Sequence, residues 1–318
     1  MRFYYKVKDK EIEIFRCHGS GSRVEIPAYI NGLPVTRAAG YAFSDRKAKK
    51  DANILVWESE GQFMSEDSGQ PLWGPKIEEI IFPDTIREIG NYIFYGCKNL
   101  RHLEFSDSLM HIGSGAFTGC GNLSALTVYM KNGLRSCVKE ILGELWQRID
   151  VTFCFQNGGC AYLVFPEHYE EAVENTPARI LFTQHHGSGN NYRQCFYNKE
   201  LDYRKYDSLF SVAAAWDKPK VLADIAFSRL KYPYHLAGAH REAYISMIQK
   251  RYEEILEYVI EEDRLDYIKV ISGQVFWTPD MIEYALEATA ESGKTEILSY
   301  LMNEKQKFTP KKKKLFQL

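Results

Sequence analysis

The chain has 318 residues, room for about two domains at the usual ~100–200 residues each. It is 45% hydrophobic, 14% aromatic and 26% charged, and 40 basic against 42 acidic residues leave a formal charge of −2. These values exclude wholesale disorder and a chain-wide electrostatic footprint for nucleic acid or anionic membrane. No apolar run approaches the ~18 residues of a membrane-spanning helix.

The first fifteen residues, MRFYYKVKDKEIEIF, alternate charges with aromatics and carry no apolar h-region of a signal peptide, so a cytoplasmic location is expected. The seven cysteines, Cys17, Cys97, Cys120, Cys137, Cys154, Cys160 and Cys195, are odd in number and none forms a Cys-x-x-Cys pair. Reduced thiols with no metal are expected.

From Ile77 the chain repeats itself. Ile89-Gly-Asn-Tyr-Ile-Phe94-Tyr-Gly-Cys97-Lys-Asn-Leu100 returns as Ile112-Gly-Ser-Gly-Ala-Phe117-Thr-Gly-Cys120-Gly-Asn-Leu123, each position shifted by 23 residues. Ile80, Leu103 and Leu126 are equivalent, as are Phe82, Phe105 and Val128. Apolar alternation at period two gives one short strand per repeat with one buried face. A single unit cannot bury that face alone; stacked units share a core, so a solenoid with a parallel strand ladder is predicted. Cys97 and Cys120 then stack as neighbours, and small buried hydrophobes are expected there.

The pattern Ile-Gly-x-x-Ala/Ile-Phe-x-Gly-Cys-x-Asn-Leu-x-x-Leu-x-Phe/Val resembles the bacterial BspA-type leucine-rich repeat. So do Val24-Glu-Ile26-Pro27, Asn31-Gly-Leu-Pro34-Val35-Thr and Ala42-Phe43, which extends the resemblance over residues 3–129. It implies the fold, an α/β leucine-rich repeat solenoid; many members of that family are exported surface proteins implicated in adhesion.

Phe43 and Phe94 are 51 residues apart, two periods plus five. Asn53–Trp57 is expected to supply the missing strand of the ladder. The Gly-, Ser- and Pro-rich stretch Glu58–Lys76 reads as a loop. Its Phe63, Met64, Leu72 and Trp73 either anchor a partner or fold back over the gap.

Beyond the repeats, Leu134, Val138, Ile141, Leu142, Leu145 and Ile149 share one helical face, which predicts a capping helix over Asn132–Asp150. Strands are expected at 151–155 and 161–166, a brief helix over His168–Asn175, and an interdomain linker at 183–198, where His185 and His186 adjoin Gly187-Ser-Gly189. From Leu201 the chain reads as helices: one after Pro219, a long one over Ala239–Glu262, and shorter ones at Arg264–Ser272, Pro279–Glu291 and Thr295–Lys305. Thr278 is the expected N-cap and Gly293 the expected stop. TPDMIEYALEATAESGKTEILSYLMNE resembles the helical part of an ankyrin repeat. The expected organisation is a leucine-rich repeat domain at 1–150, a connecting segment at 151–200, a mainly α-helical, ankyrin-like domain at 201–310 and a basic tail at 311–318.

Two repeat architectures predict a non-catalytic scaffold that binds unknown protein partners through extended surfaces. The candidate surface comprises Trp73 with the ladder residues Glu79, His102, Glu104 and Tyr129, which lie between buried positions. No cofactor, metal, nucleic-acid or membrane partner is expected. The alternative is an enzyme of unrecognised class around residues 160–202, where Cys160, His168, His185, His186 and Asp202 show no nucleophile–base spacing.

Overall fold

The computed structural model describes residues 1–46, 53–59, 69–175 and 180–308. Phe63, Met64 and the basic tail lie outside the described residues. The chain forms two compact units, Met1–Val212 and Ala213–Leu318.

In the first unit, the alternating N-terminal residues form an antiparallel hairpin of β1 (Arg2–Lys8) and β2 (Glu11–His18). Asp9 and Lys10 both have positive φ, as a two-residue hairpin turn requires. The strands β3 (Arg23–Glu25), β4 (Tyr29–Ile30), β5 (Leu33–Ala38), β6 (Leu55–Glu58), β7 (Glu79–Ile81), β8 (Glu88–Ile89), β9 (His102–Ser106), β10 (His111–Ile112), β11 (Ala125–Met130), β12 (Ile149–Phe155) and β13 (Cys160–Phe165) follow. One sheet has the order β13-β12-β11-β9-β7-β3 and the other β10-β8-β5-β2-β1-β6, with β4 against β5.

The first sheet is the expected ladder. Its strands β3, β7, β9, β11 and β12 run parallel, and Val24, Ile80, Leu103, Leu126 and Val151 stand side by side in the buried core. The consensus residues each hold the next turn of the solenoid. Phe43, Phe94 and Phe117 stack with ring centroids 5.6 and 5.4 Å apart. The Cys97 thiol meets the Phe43 carbonyl at 3.3 Å, and one repeat on Cys120 meets the Phe94 carbonyl at the same distance. Burial pushes the Cys97 thiol up to about 12, and these cysteines serve as small core groups. Asn99 and Asn122 donate to the carbonyls of Pro75 and Lys98. The glycine of Ile-Gly is required by close approach: a Cβ on Gly113 would lie 2.3 Å from the Gly90 carbonyl carbon, and one on Gly90 would lie 2.3 Å from the Gly40 nitrogen.

The structure corrects several expectations. No rung is missing between β3 and β7, which pair directly, Val24 beside Ile80. Leu55–Glu58 instead pairs antiparallel with β1 in the other sheet. Leu55 and Val56 are 50% and 52% exposed, so this strand has no buried face to offer a ladder. The helix expected over Asn132–Asp150 shrinks to α1 (Val138–Gly143), because Ile149, Val151 and Phe153 alternate as the buried face of β12. The ladder therefore gains a parallel rung, and antiparallel β13 closes its end. His168–Asn175 is no helix: β14 (Tyr169–Asn175) pairs with β15 (Ile180–His186), and cross-strand pairing outweighs the helix propensity of its glutamates.

The polar stretch at 183–198 is structured rather than a linker. It ends β15 and forms α2 (Gly189–Arg193), followed by buried Cys195 and Phe196. The helix α3 (Tyr203–Ser208) is capped by Asp202, which accepts from the Lys205 N–H, and α4 (Phe210–Trp216) follows.

The second unit holds α5 (Pro219–Lys231), α6 (Gly238–Lys250), α7 (Tyr252–Glu261), α8 (Leu265–Val270), a single π-turn (Ile271–Val275), α9 (Pro279–Ser292) and α10 (Thr295–Phe308). The expected long helix breaks at Arg251, whose φ of −117° and ψ of 33° leave the helical region. Thr278 caps α9 by accepting from the Met281 N–H, and Gly293 ends it at φ 69°. The core of this unit encloses Asp224, 2% exposed, which accepts from the hydroxyls of Tyr258 and Tyr267 at 2.9 and 3.1 Å.

Candidate interaction surface

Alternation along β7, β9 and β11 points Ile80, Leu103, Phe105, Leu126 and Val128 into the core. It leaves Glu79, His102, Glu104, Thr127 and Tyr129 half-buried on the outward face. A parallel ladder with fixed register brings residues of different strands together although they are 23 or more positions apart in sequence. Arg23 pairs with Glu79 at 3.4 Å, and His102 Nδ1 meets Glu79 Oε1 at 2.9 Å. On its other side, His102 Nε2 meets Thr127 Oγ1 at 2.9 Å. A neutral ring protonated at Nδ1 donates to Glu79 and accepts from the Thr127 hydroxyl. One row along, the Tyr129 hydroxyl donates to Glu104 Oε1 at 3.1 Å. Burial, and then that carboxylate, push the Tyr129 hydroxyl above its usual pKa, so it remains a donor at neutral pH. The Lys131 ammonium lies 5.7 Å from the Tyr129 ring centroid.

Four of the five candidate residues thus form one polar patch crossing three strands. Ligand atoms of Glu79, His102 and Glu104 all lie within 4.8 Å of one another, a nitrogen–oxygen donor set of the kind divalent transition metals use. The sequence pattern placed these residues on one face and did not single out the donor set. The 23-residue offset between Glu79 and His102 was the signal that pairs them.

Trp73 lies apart from this patch. It is half-buried, with the Arg16 guanidinium of β2 5.1 Å from its ring centroid. Its neighbour Leu72 is buried and donates its N–H to the Cys17 carbonyl, so this end of the 58–76 loop packs onto β2.

Of the residues of the enzyme alternative, His168 is half-buried within electrostatic reach of Arg193, Glu170 and His185. His185 and His186 pair with Glu170 and Glu171 across the β14–β15 hairpin, at 3.4 and 3.1 Å. Asp202 is a helix cap, and Cys160 faces Cys154 across β12 and β13.

Arg193, which no sequence motif singles out, is structurally central. It is 4% exposed and donates to five backbone carbonyls, those of Leu142, Leu145, Gln147, Pro166 and Gly189. Two of these are carbonyls at the end of α1 and just beyond it. Burial lowers the guanidinium to about 10, which leaves it charged at neutral pH.

Comparison with known proteins agrees with the ladder. The model of the BspA type leucine rich repeat region, which describes six copies of the repeat, matches residues 73–142 of this chain. No curated protein matches the chain. Among solved structures it is similar to a leucine rich cell surface protein from Faecalibacterium prausnitzii A2-165, with 22% identity and a TM-score of 0.28, over 42% of this chain and 29% of that one. It is also similar to the leucine rich repeat protein of T. pallidum, with 21% identity and a TM-score of 0.21, over 43% of this chain and 73% of that one. The matched part thus spans under a third of the Faecalibacterium chain.

The chain therefore carries an N-terminal BspA-type leucine-rich repeat region and a separate, mostly helical C-terminal region. The cytoplasmic location expected from the sequence is not upheld: the similar Faecalibacterium protein is a cell surface protein, and that location belongs to that protein. The physical reason lies in β1 and β2: the N-terminal residues that carried that expectation form a hairpin, so their alternation reports strand packing and no cellular address. Among the described residues, no helix is long and apolar enough to cross a membrane.

Proposed function

We propose that the protein is a non-catalytic scaffold that binds a protein partner through the outward face of the ladder, centred on His102. Leucine-rich repeat solenoids present extended surfaces of the kind used in protein interaction. The observation that carries the reading is the bonded row Arg23–Glu79–His102–Thr127 beside the pair Glu104–Tyr129. Polar side chains fixed by one another lose little further freedom on docking, which favours affinity. Trp73 adds a separate contact beside β2, since its ring is partly exposed and held by Arg16. The helical unit adds an ankyrin-like surface, a reading supported by the Thr278–Pro279 start of α9 and the Gly293 turn into α10.

The test is capture of partners from the native cell, followed by binding assays with His102→Ala and Tyr129→Ala. Each is expected to weaken binding at least tenfold with Tm unchanged. Full affinity in both variants moves the binding surface off this face. The Glu79, His102 and Glu104 donor set supports a second reading, in which a divalent ion completes the surface. Titration with zinc or manganese tests it: a Tm rise lost in His102→Ala supports the ion, and no rise rejects it.

A further inference from the structure

The seven cysteines do not share one environment. Cys17, Cys97, Cys120, Cys137 and Cys195 are buried, whereas Cys154 and Cys160 are half-exposed. These two stand directly opposite one another on antiparallel β12 and β13. Their position in the ladder alternation follows from the adjoining turn. The Phe155 N–H donates to the Gly159 carbonyl at 2.9 Å, and the Gly158 N–H donates to the Phe155 carbonyl at 3.0 Å, with Gly158 at φ 79°. Phe155 and Gly159 are therefore a hydrogen-bonded pair closing a three-residue turn with a glycine bulge. Cys154 and Cys160, one step further, form the next, non-hydrogen-bonded pair, the kind whose Cα atoms approach to ~4.5 Å and whose side chains lie closest.

That spacing falls within the ~4.4–6.8 Å between Cα atoms that a disulfide spans. Both side chains leave the sheet on its outward face, since the buried β12 positions are Ile149, Val151 and Phe153. The Cys154 thiol is raised above its usual pKa first by burial and then by the adjacent Cys160 thiol, through charge and hydrogen bond. Tyr129 of β11 lies opposite Cys154 in the parallel register, so the pair borders the polar patch on the same face.

We propose that Cys154 and Cys160 are a redox modification site, a dithiol that closes to an intramolecular disulfide by exchange with a small-molecule disulfide such as oxidised glutathione. In the first step one thiolate of the pair attacks a glutathione sulfur. A protein–glutathione S–S bond forms, the glutathione S–S bond breaks, and the released glutathione thiolate takes a proton. In the second step the other thiolate attacks the protein sulfur of that mixed disulfide, forming the Cys154–Cys160 bond and expelling the second glutathione. Two protons and two electrons pass from the protein dithiol to oxidised glutathione, giving two molecules of reduced glutathione. The bond joins the antiparallel end strand β13 to the last parallel rung β12. Its ring encloses only the residues of one tight turn, so it constrains little of the unfolded chain and stays reversible, unlike a long-range structural bridge.

Trypsin cleaves after Arg148 and Arg179 and leaves both cysteines in the single peptide 149–179, with no Lys or Arg between. The folded, full-length protein is equilibrated across a series of oxidised-to-reduced glutathione ratios, quenched with acid, alkylated and digested. The expected result is conversion of this peptide, as the ratio rises, from the doubly alkylated form to an unalkylated form lighter by two hydrogens than the dithiol. Peptides carrying the five buried cysteines stay in the thiol form. In Cys154→Ser and Cys160→Ser, the remaining cysteine accumulates the glutathione mixed disulfide and no ring closes. The proposal is overturned if the wild-type peptide remains doubly alkylated across the series. It is equally overturned if the peptide stops at the mixed disulfide, because facing thiols in reach of each other must complete the second step.

Discussion

The two units of this chain reach stability by different routes. In the ladder unit each rung presents the same residues to the same neighbours: Phe43, Phe94 and Phe117 stack, Cys97 and Cys120 repeat one hydrogen bond, and Gly90 and Gly113 admit the adjoining backbone. One solution, found once, is copied along the axis. In the helical unit no such column exists among the described residues, and the core is organised around particular groups. Asp224 of α5 is held by tyrosines from α7 and α8, and Arg264 stacks on Tyr267 with its guanidinium carbon 3.6 Å from the ring centroid. A copied contact tolerates little change in shape, because backbone meets backbone. A particular contact is surrounded by side chains and turns that yield more readily.

The largest expected effect tests that difference in tolerance. Gly113→Val should cost more than about 4 kcal/mol and leave the ladder unit largely unfolded, since its Cβ would fall 2.3 Å from backbone atoms that no rotamer change can move. Gly293→Ala in the helical unit should cost only about 1 kcal/mol, the price of a left-handed φ of 69° with nothing within 4 Å of the added methyl. Denaturant titration of both variants checks the contrast; equal losses would erase it.

Next in size are two residues of the ladder unit. Leu103→Ala should destabilise by about 2–5 kcal/mol, the usual cost of truncating a fully buried leucine. A loss below about half a kcal/mol would refute the repeat register. Arg193→Met should cost about 2–3 kcal/mol, because an apolar chain of similar length fills the space and leaves five carbonyls without their donor. Arg193→Lys should recover part of this loss, as three donors replace five. Full stability in Arg193→Met would show that water takes over the guanidinium's role.

Legibility in the sequence follows the same division. The strands at β7, β9 and β11, their register and the outward placement of Glu79, His102, Glu104 and Tyr129 were readable because a fixed period and a period-two alternation leave one arrangement. The ends of helices in the second unit were readable where a local residue decides them, as Thr278 and Gly293 do. What lay outside reach was decided by contacts distant in sequence. Leu55–Glu58 has strand composition, yet nothing local tells β1 from the ladder as its neighbour. The glutamates of Tyr169–Asn175 suggest a helix, and only the pairing with Ile180–His186 makes them a strand. Arg193 belongs to no sequence motif; its five acceptors come from three separate segments. The bonds of His102 to Glu79 and Thr127 needed side-chain positions that periodicity does not supply.

A smaller effect probes the local signals of the helical unit. Thr278→Ala should cost about 1 kcal/mol through loss of the bond to the Met281 N–H, and Thr278→Ser should restore most of it. Hydrogen exchange should show the loss at the start of α9. An unchanged exchange rate there would mean that packing on α7 and α10, not the cap, holds the helix end.

The smallest expected effect is a dependence on pH that falls on the ladder unit. His168 follows β13, with its Nδ1 buried and without a hydrogen-bond partner. Burial, and then the positive charge of Arg193, lower its pKa below the usual 6.5, while Glu170 acts weakly in the opposite sense. His18 is lowered too, chiefly by burial, against a smaller opposing bond to the Gly69 carbonyl. In both cases the folded state favours the neutral ring and the unfolded chain takes up the proton first. Stability is therefore present above pH 6.5 and declines as pH falls through that value toward the lowered folded pKa. Between about pH 7 and about pH 5, the protection of β12 and β13 amides, measured relative to intrinsic exchange at each pH, should fall progressively, and His168→Gln, which cannot take a charge, should flatten that trend. Protection in β12 and β13 that is as pH-dependent in His168→Gln as in the wild type would mean that His168 does not carry the acid sensitivity.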